Sequence, residues 1–128
     1  MQDFKRLTVW QAARRLSRSI YEMTAPFPLA EQFGLTAQMR RASVSICANI
    51  AEGSGRGGVR ELRRFLDVAM GSVCEVECEL ILSCDMALIS RSQRDASLLA
   101  VNEIRRMLIG FRERLADDIE DSRRSKLG

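Results

Sequence analysis

A chain of 128 residues has room for one hydrophobic core and is too short for two domains of ordinary size. Hydrophobic residues make up 46% of it and charged residues 29%, a globular composition, while two prolines and 5% aromatics leave few strand or turn signals and tilt the chain toward helix. The formal net charge is +3, no apolar run approaches the roughly 18 residues that span a bilayer, and no leader pattern opens the chain, so a soluble cytoplasmic protein with no membrane role is expected.

The stretch TVWQAARRLSRSIYEMT sets Val9, Ala13, Leu16, Ile20 and Met23 three or four residues apart, the stripe of an amphipathic helix over about 8–24. Thr8 with Gln11 has the spacing of a capping box, and Arg14, Arg15 and Arg18 fall on the opposite, wet face. Ala25-Pro26-Phe27-Pro28 stops the helix, because a residue before proline is pushed out of the α region. The second helix, about 35–54, carries Leu35, Met39, Ala42, Ile46 and Ile50 on one stripe and Val44, Cys47 and Ala51 on another, a face wide enough for neighbours on more than one side.

The third helix, about 59–88, steps through Leu62, Leu66, Ala69, Val73, Val76, Leu80 and Cys84. At about 1.5 Å per residue it would reach roughly 45 Å, the longest of the four. Phe65, Met70, Cys74, Cys78 and Ile81 form a second apolar edge beside that stripe, more than one bundle core requires, and are read as a candidate oligomer interface. After a break at ALISRSQRDAS, the fourth helix, about 94–122, repeats the pattern through Val101, Ile104, Leu108, Phe111, Leu115 and Ile119, and the polar DSRRSKLG is expected to fray. Four such helices on short connections, with no strand signal, predict an all-α fold: one antiparallel up-down-up-down four-helix bundle over 1–128.

Between the second and third helices, NIAEGSGRGGVRELRRFL holds Gly53, Gly55 and Gly58 in the G-x-G-x-x-G spacing of a dinucleotide-binding loop. That fingerprint needs a buried strand before its first glycine and a βαβ unit around it; here a helix precedes it, and no Lys-Ser/Thr pair follows as in a Walker loop. A turn is the better reading. Gly53 or Gly55 ends the second helix in a left-handed conformation, and Gly58 starts the third with Glu61 at the capping-box position.

Eighteen of the twenty cations are arginine, and they are unevenly placed. Residues 1–64 hold 11 Lys+Arg against 5 Asp+Glu, a balance of +6, and residues 65–128 hold 9 against 12, a balance of −3. Arg56, Arg60, Arg63 and Arg64 gather in the loop and the first turns of the third helix, with Arg40 and Arg41 on the helix leading into it. Cations at a helix N-terminus oppose the macrodipole, so helix stability does not explain them. A phosphate-facing patch, salt bridges to the acidic third and fourth helices, and a solvated face are the open explanations.

Chemistry has little to work with. Glu75, Glu77 and Glu79 invite a carboxylate metal site, but di-iron bundles add Glu-x-x-His motifs and this chain has no histidine, so pairing with arginines of an adjacent helix or subunit is expected instead. Cys74 and Cys78 could supply two zinc ligands, yet a structural site wants four; with Cys47 and Cys84 they read as reduced thiols acting as small buried hydrophobes. Ser43, Ser45 and Ser72 have no obvious base and suit close helix packing, while Trp10 and Tyr21 are too few for a base-stacking platform. No catalytic residue, metal or cofactor is expected.

The blocks FKRLTVWQAARRLSRSIYEMT, FGLTAQMRRASVSICANIAEGSGR and RFLDVAMGSVCEVECEL resemble the small four-helix-bundle proteins first noticed as reading frames inside intervening sequences of bacterial large-subunit ribosomal RNA genes. The similarity covers roughly Phe4 to Leu88, and NIAEGSGR after LTAQMRRASVSI is its most specific part. The resemblance implies a homopentamer and kinship with the accessory variability determinant of diversity-generating retroelements, a basic pentamer that associates with a reverse transcriptase and with nucleic acid. It supplies no catalytic site, and the family's older label as a ribosomal protein rests on gene location. Cys47 stands where proline is common and Gly58 where serine or threonine usually caps the third helix, which implies a straighter second helix and a looser loop.

The expected function is a non-enzymatic homo-oligomer whose Arg40, Arg41, Arg56, Arg60, Arg63 and Arg64 bind RNA or DNA backbone, as an accessory in a nucleoprotein complex with a protein partner. The alternative is a protein-interaction scaffold with no nucleic-acid role.

Overall fold

The computed structural model describes residues 3–127, in which four helices account for nearly all regular structure and no strand occurs among the described residues. They are α1 (Thr8–Thr24), α2 (Leu35–Gly55), α3 (Val59–Asp85) and α4 (Arg91–Leu127), with short 3-10 turns at Phe4–Arg6 and Leu29–Glu31. Each helix packs on its sequence neighbour and α1 closes onto α4, so the four form a ring around one core. The pairing is antiparallel throughout. Arg40 near the start of α2 reaches Thr24 at the end of α1, Ser83 late in α3 meets Met39 early in α2, and Asp67 and Glu77 of α3 pair with Arg112 and Arg105 of α4.

The main stripes form the core as the periodicity predicts, with Met23, Cys84 and Phe111 only partly buried at its margin, Ile119 outside it, and Val44 of the expected second α2 stripe exposed. Val9, Ala13, Leu16 and Ile20 of α1, Met39, Ala42, Ile46 and Ile50 of α2, the run Leu62, Leu66, Ala69, Val73, Val76, Leu80 of α3, and Val101, Ile104, Leu108 and Leu115 of α4 are all buried in one cluster. Burying each large aliphatic side chain contributes about 1.5–3 kcal/mol. Small hydroxyls stitch the helices where they approach closely: Ser72 donates to Ser45 at 2.9 Å across α2 and α3, and Ser43 donates to Ser17 at 3.3 Å across α1 and α2.

The bounds of α1 and α2 and the start of α3 fall within a residue of the expectation, but the caps, the end of α3 and both ends of α4 differ. Leu7, not Thr8, is the N-cap of α1, and no side chain caps it; Gln11 instead donates to the Lys5 carbonyl at 2.9 Å, tying the N-terminal turn to the helix. The reciprocal capping box stands at α4, where Ser90 N–H donates to Gln93 Oε1 at 2.8 Å and Gln93 N–H to Ser90 Oγ at 3.0 Å. That cap starts α4 at Arg91 rather than near residue 94, and the helix continues to Leu127 instead of fraying after residue 122. Arg124 and Lys126 in its last turn suit the macrodipole, so α4, 37 residues and roughly 55 Å long, exceeds α3.

The end of α3 comes at Asp85 rather than residue 88, because Ala87 takes a left-handed φ of 60°. Leu88 N–H then donates to the Ser83 carbonyl at 2.9 Å and Ala87 N–H to that of Cys84 at 3.0 Å, the two bonds of a Schellman ending. The cysteines are also placed differently from the expectation: Cys47 and Cys84 are half-buried, but Cys74 and Cys78 are exposed on the outer side of α3. Their i, i+4 spacing puts them on one face of α3, which no other described element covers at these positions.

Candidate nucleic-acid interface

The glycine stretch builds a helix crossing and a turn. Gly53 and Gly55 are both helical, contrary to the expected left-handed end; the left-handed residue is Gly57, with φ of 78°, and α2 runs on through Gly55. Gly53 is buried where α2 crosses α3: a Cβ there would stand 2.8 Å from Phe65 Cβ and 3.1 Å from Leu62 Cδ1. Gly58 is the extended N-cap of α3, as expected, but Glu61 does not close a capping box and pairs instead with Arg64 at 3.1 Å. That hydrogen bond, with the nearby Arg64 and Arg56 charges, holds the Glu61 carboxyl below its ordinary range.

Because the turn brings the end of α2 against the start of α3, four of the six candidate arginines gather there. Arg56 and Arg64 both stack on Phe65, with guanidinium carbons 5.5 and 4.5 Å from the ring centroid, and each also pairs with an exposed acid of its own helix, Glu52 at 2.8 Å and Glu61 at 3.1 Å. Arg60 is exposed and lines a groove of about 320 Å³ with Asp118, Ser122, Arg123 and Lys126 of α4. Arg63 is half-buried against α4, in a shallow depression shared with Arg112 and Glu113. Neither Arg60 nor Arg63 forms an ion pair among the described residues.

Arg40 and Arg41 are not part of this group. They lie 16 and 15 positions before Arg56, which on a helix is roughly 22–24 Å away, toward the other end of the bundle. Arg40 is half-buried and already engaged: its Nε donates to Thr24 Oγ1 at 2.9 Å, a second nitrogen donates to the Tyr21 carbonyl at 3.4 Å, and its guanidinium sits 4.6 Å from the Tyr21 ring centroid. It fastens α2 to the end of α1. Arg41 is exposed.

The acids expected to occupy the arginines do so only in part. Glu77 pairs with Arg105 at 2.6 Å and Asp67 with Arg112 at 2.7 Å, so the interhelical bridges join α3 acids to α4 arginines and leave the α2–α3 cluster to acids of its own helices. Glu79 is buried with no hydrogen-bond partner for Oε1, and burial, reinforced by the Glu75 charge, raises its carboxyl to about 7. Phe65, Ser72 and Glu79 step by seven along α3, and since Phe65 meets Gly53 and Ser72 meets Ser45, that flank faces α2.

Of the candidate interface residues, Phe65 and Met70 are half-buried, Met70 packing on the core, whereas Cys74, Cys78 and Ile81 are exposed. Val68 and Leu82, exposed at 45% and 39%, widen the same outer face of α3; their spacing from Cys78 and Ile81 was visible in the sequence but fell off the edge first singled out. A second arginine group, not legible in the sequence, is formed by Arg6, Arg106 and Arg114 around a groove between the start of α1 and the middle of α4. Nothing local marks it, because its members lie up to 108 positions apart.

Comparison with known proteins agrees with the architecture. Among solved structures, a protein of unknown function from the S23 ribosomal protein family of Bacteroides thetaiotaomicron superposes with a TM-score of 0.72 over 80% of this chain and 96% of its own, at 24% identity, a likeness in fold. None of the curated proteins matches the sequence. The family described as 23S rRNA-intervening sequence protein matches residues 5–110, and with most of the chain so covered and four helices closed into one bundle, the chain belongs to that family.

Proposed function

We propose that this protein is a non-enzymatic, homo-oligomeric helical bundle that binds nucleic-acid backbone through the arginines at the α2–α3 turn. The observation that carries this reading is Phe65 with Arg56 and Arg64 stacked on it on the α2 side of α3, while Arg60 and Arg63, on the α4 side of the same turns, form no ion pair among the described residues. Stacking fixes the guanidinium planes at little entropic cost, and arginine forks match phosphate oxygens better than lysine would. The acids near the cluster, Glu52 and Glu61, sit in exposed pairs that solvent screens, which a phosphate can displace.

Assembly would multiply the effect. Val68, Cys74, Cys78, Ile81 and Leu82 put exposed apolar side chains along several turns of the outer face of α3, with the exposed acids Asp67 and Glu75 among them, and a second copy of the chain is the occupant that the reading assigns to it. Copies held around such a face present several weak arginine clusters to one polymer, which raises avidity without new contacts. The resemblance to pentameric relatives supports five copies. Cytoplasmic location fits a nucleic-acid partner, and no described helix is long and apolar enough to cross a membrane.

The test is equilibrium binding of labelled structured RNA and duplex DNA to wild type and to an Arg60→Glu, Arg63→Glu, Arg64→Glu variant of equal helicity and solution mass. Loss of binding in the variant is expected. Unchanged binding would remove the α2–α3 turn from the interface, and absence of wild-type binding at low salt would leave a protein scaffold as the function.

A further inference from the structure

We infer that the groove between the start of α1 and the middle of α4, lined by Arg6, Arg106 and Arg114, is a second phosphate site that engages the backbone of the same nucleic acid; this rests on the nucleic-acid reading above. The groove measures about 320 Å³, and its lining includes three arginines and no carboxylate. None of the three makes an ion pair among the described residues. Three like charges around one open groove repel one another, and no carboxylate of the described residues pairs with them as Asp67 and Glu77 do with arginines elsewhere on α4. An anion in the groove would.

The geometry of Arg114 favours that role. A Cβ built on Gly110 would lie 3.5 Å from Arg114 Nη1, so the guanidinium folds back along α4 over the glycine and into the groove that both line. Phe111 supports it from the side, 5.6 Å from ring centroid to guanidinium carbon. An arginine held in this way loses little freedom when it binds, and it presents its fork to a planar pair of oxygens.

A polymer is favoured over a small anion because the other flank of α4 carries a matching feature. Arg123 and Lys126 of α4 line the groove with Arg60 of α3, whereas Arg106 and Arg114 line the groove with Arg6 beside α1. Both grooves belong to the bundle end where α1 and α3 begin. A single small anion would need one of them; a chain of phosphates crossing that end would use both. The groove beside α3 contains Asp118, so the one beside α1 is the more purely cationic of the two.

The test compares wild type with Arg106→Gln/Arg114→Gln and with Gly110→Asp, which sets a carboxylate beside the Arg114 guanidinium. Binding of labelled structured RNA and duplex DNA is measured between about 50 and 200 mM salt, with helicity and solution mass checked for each. The expected result is an affinity loss of about ten-fold or more in the glutamine pair, with the slope of log K against log salt shallower by about 1–2. Should Gly110→Asp fail to fold, the glutamine pair decides alone. Wild-type affinity and slope in the glutamine pair, while the Arg60/Arg63/Arg64 variant has lost binding, would overturn this site and leave the first reading standing. No wild-type binding at low salt would overturn both. Thermal stabilisation by inorganic phosphate that needs Arg106 and Arg114, with nucleic-acid affinity unchanged in their absence, would make the groove a small-phosphate site and overturn the polymer.

Discussion

Glu79 is the residue whose environment differs most from what its type prefers. A carboxyl with a buried, unpartnered oxygen and Glu75 nearby resists ionisation, which is why it titrates near 7. The folded protein therefore keeps a proton that the unfolded chain releases near 4.5, and the stability tied to that proton is full below about 4.5 and falls away as pH climbs through 7. Glu79→Gln should leave stability nearly unchanged at acid pH and raise it at pH values above 7, by on the order of 1–2 kcal/mol after solvent screening, as read by urea unfolding across pH. An equal gain at both ends would mean that packing, not charge, is responsible. Gly53 makes the opposite case, since its lack of a side chain is the interaction. Alanine there gains helix propensity but meets Phe65 Cβ and the Leu62 backbone side of α3, so Gly53→Ala should cost about 1–3 kcal/mol, while Gly71→Ala, with open space around it, should gain about 0.5–1 kcal/mol. Thermal melts of the two variants read the difference directly.

Helix faces and most helix bounds were readable from the sequence, whereas the capping bonds, the end of α3 and both ends of α4 were not, for a physical reason. Burial imposes a period of 3.6 on every turn of a packed helix, so the stripes of α1, α3 and α4 repeat often enough to be recognised. An end is decided by two or three hydrogen bonds that other residues can supply. S-x-x-Q at Ser90 and Gln93 closes a reciprocal cap while T-x-x-Q at Thr8 and Gln11 does not, because Thr8 already lies inside its helix and Gln11 is drawn to the Lys5 carbonyl. Ala87 ends α3 in a conformation that favours glycine, which no propensity would suggest. Ser90→Ala should lower stability by about 1 kcal/mol and raise amide exchange selectively in the first turn of α4; uniform exchange changes would deny the cap that role. The arginines show the same limit. The sequence set Arg40 and Arg41 on the helix leading into the arginine-rich loop, but antiparallel packing of α1 on α2 turned Arg40 onto Thr24 and Tyr21, and only folding assembled Arg6 with Arg106 and Arg114.

Across the whole molecule, charge and apolar surface are divided between regions. The start of α1, the α2–α3 turn and the long C-terminal half of α4 bring arginine groups to one end, and the outer side of α3 carries an uncovered apolar strip. If that strip joins copies, Ile81→Glu, at a residue 42% exposed and outside the core, should reduce the solution mass to that of one chain while helicity persists; Met70→Glu is a poorer probe because Met70 also packs on the core. An unchanged mass would remove this face as the interface. The central claim is that the arginines of the α2–α3 turn are free to exchange their weak acid partners for phosphate. Its most direct measurement is the salt dependence of wild-type binding to a structured RNA and a DNA duplex. A line of log K against log salt with a slope several times −0.9, one such unit for each phosphate contacted, is the result expected. Affinity that is negligible at low salt, or indifferent to salt, would contradict it.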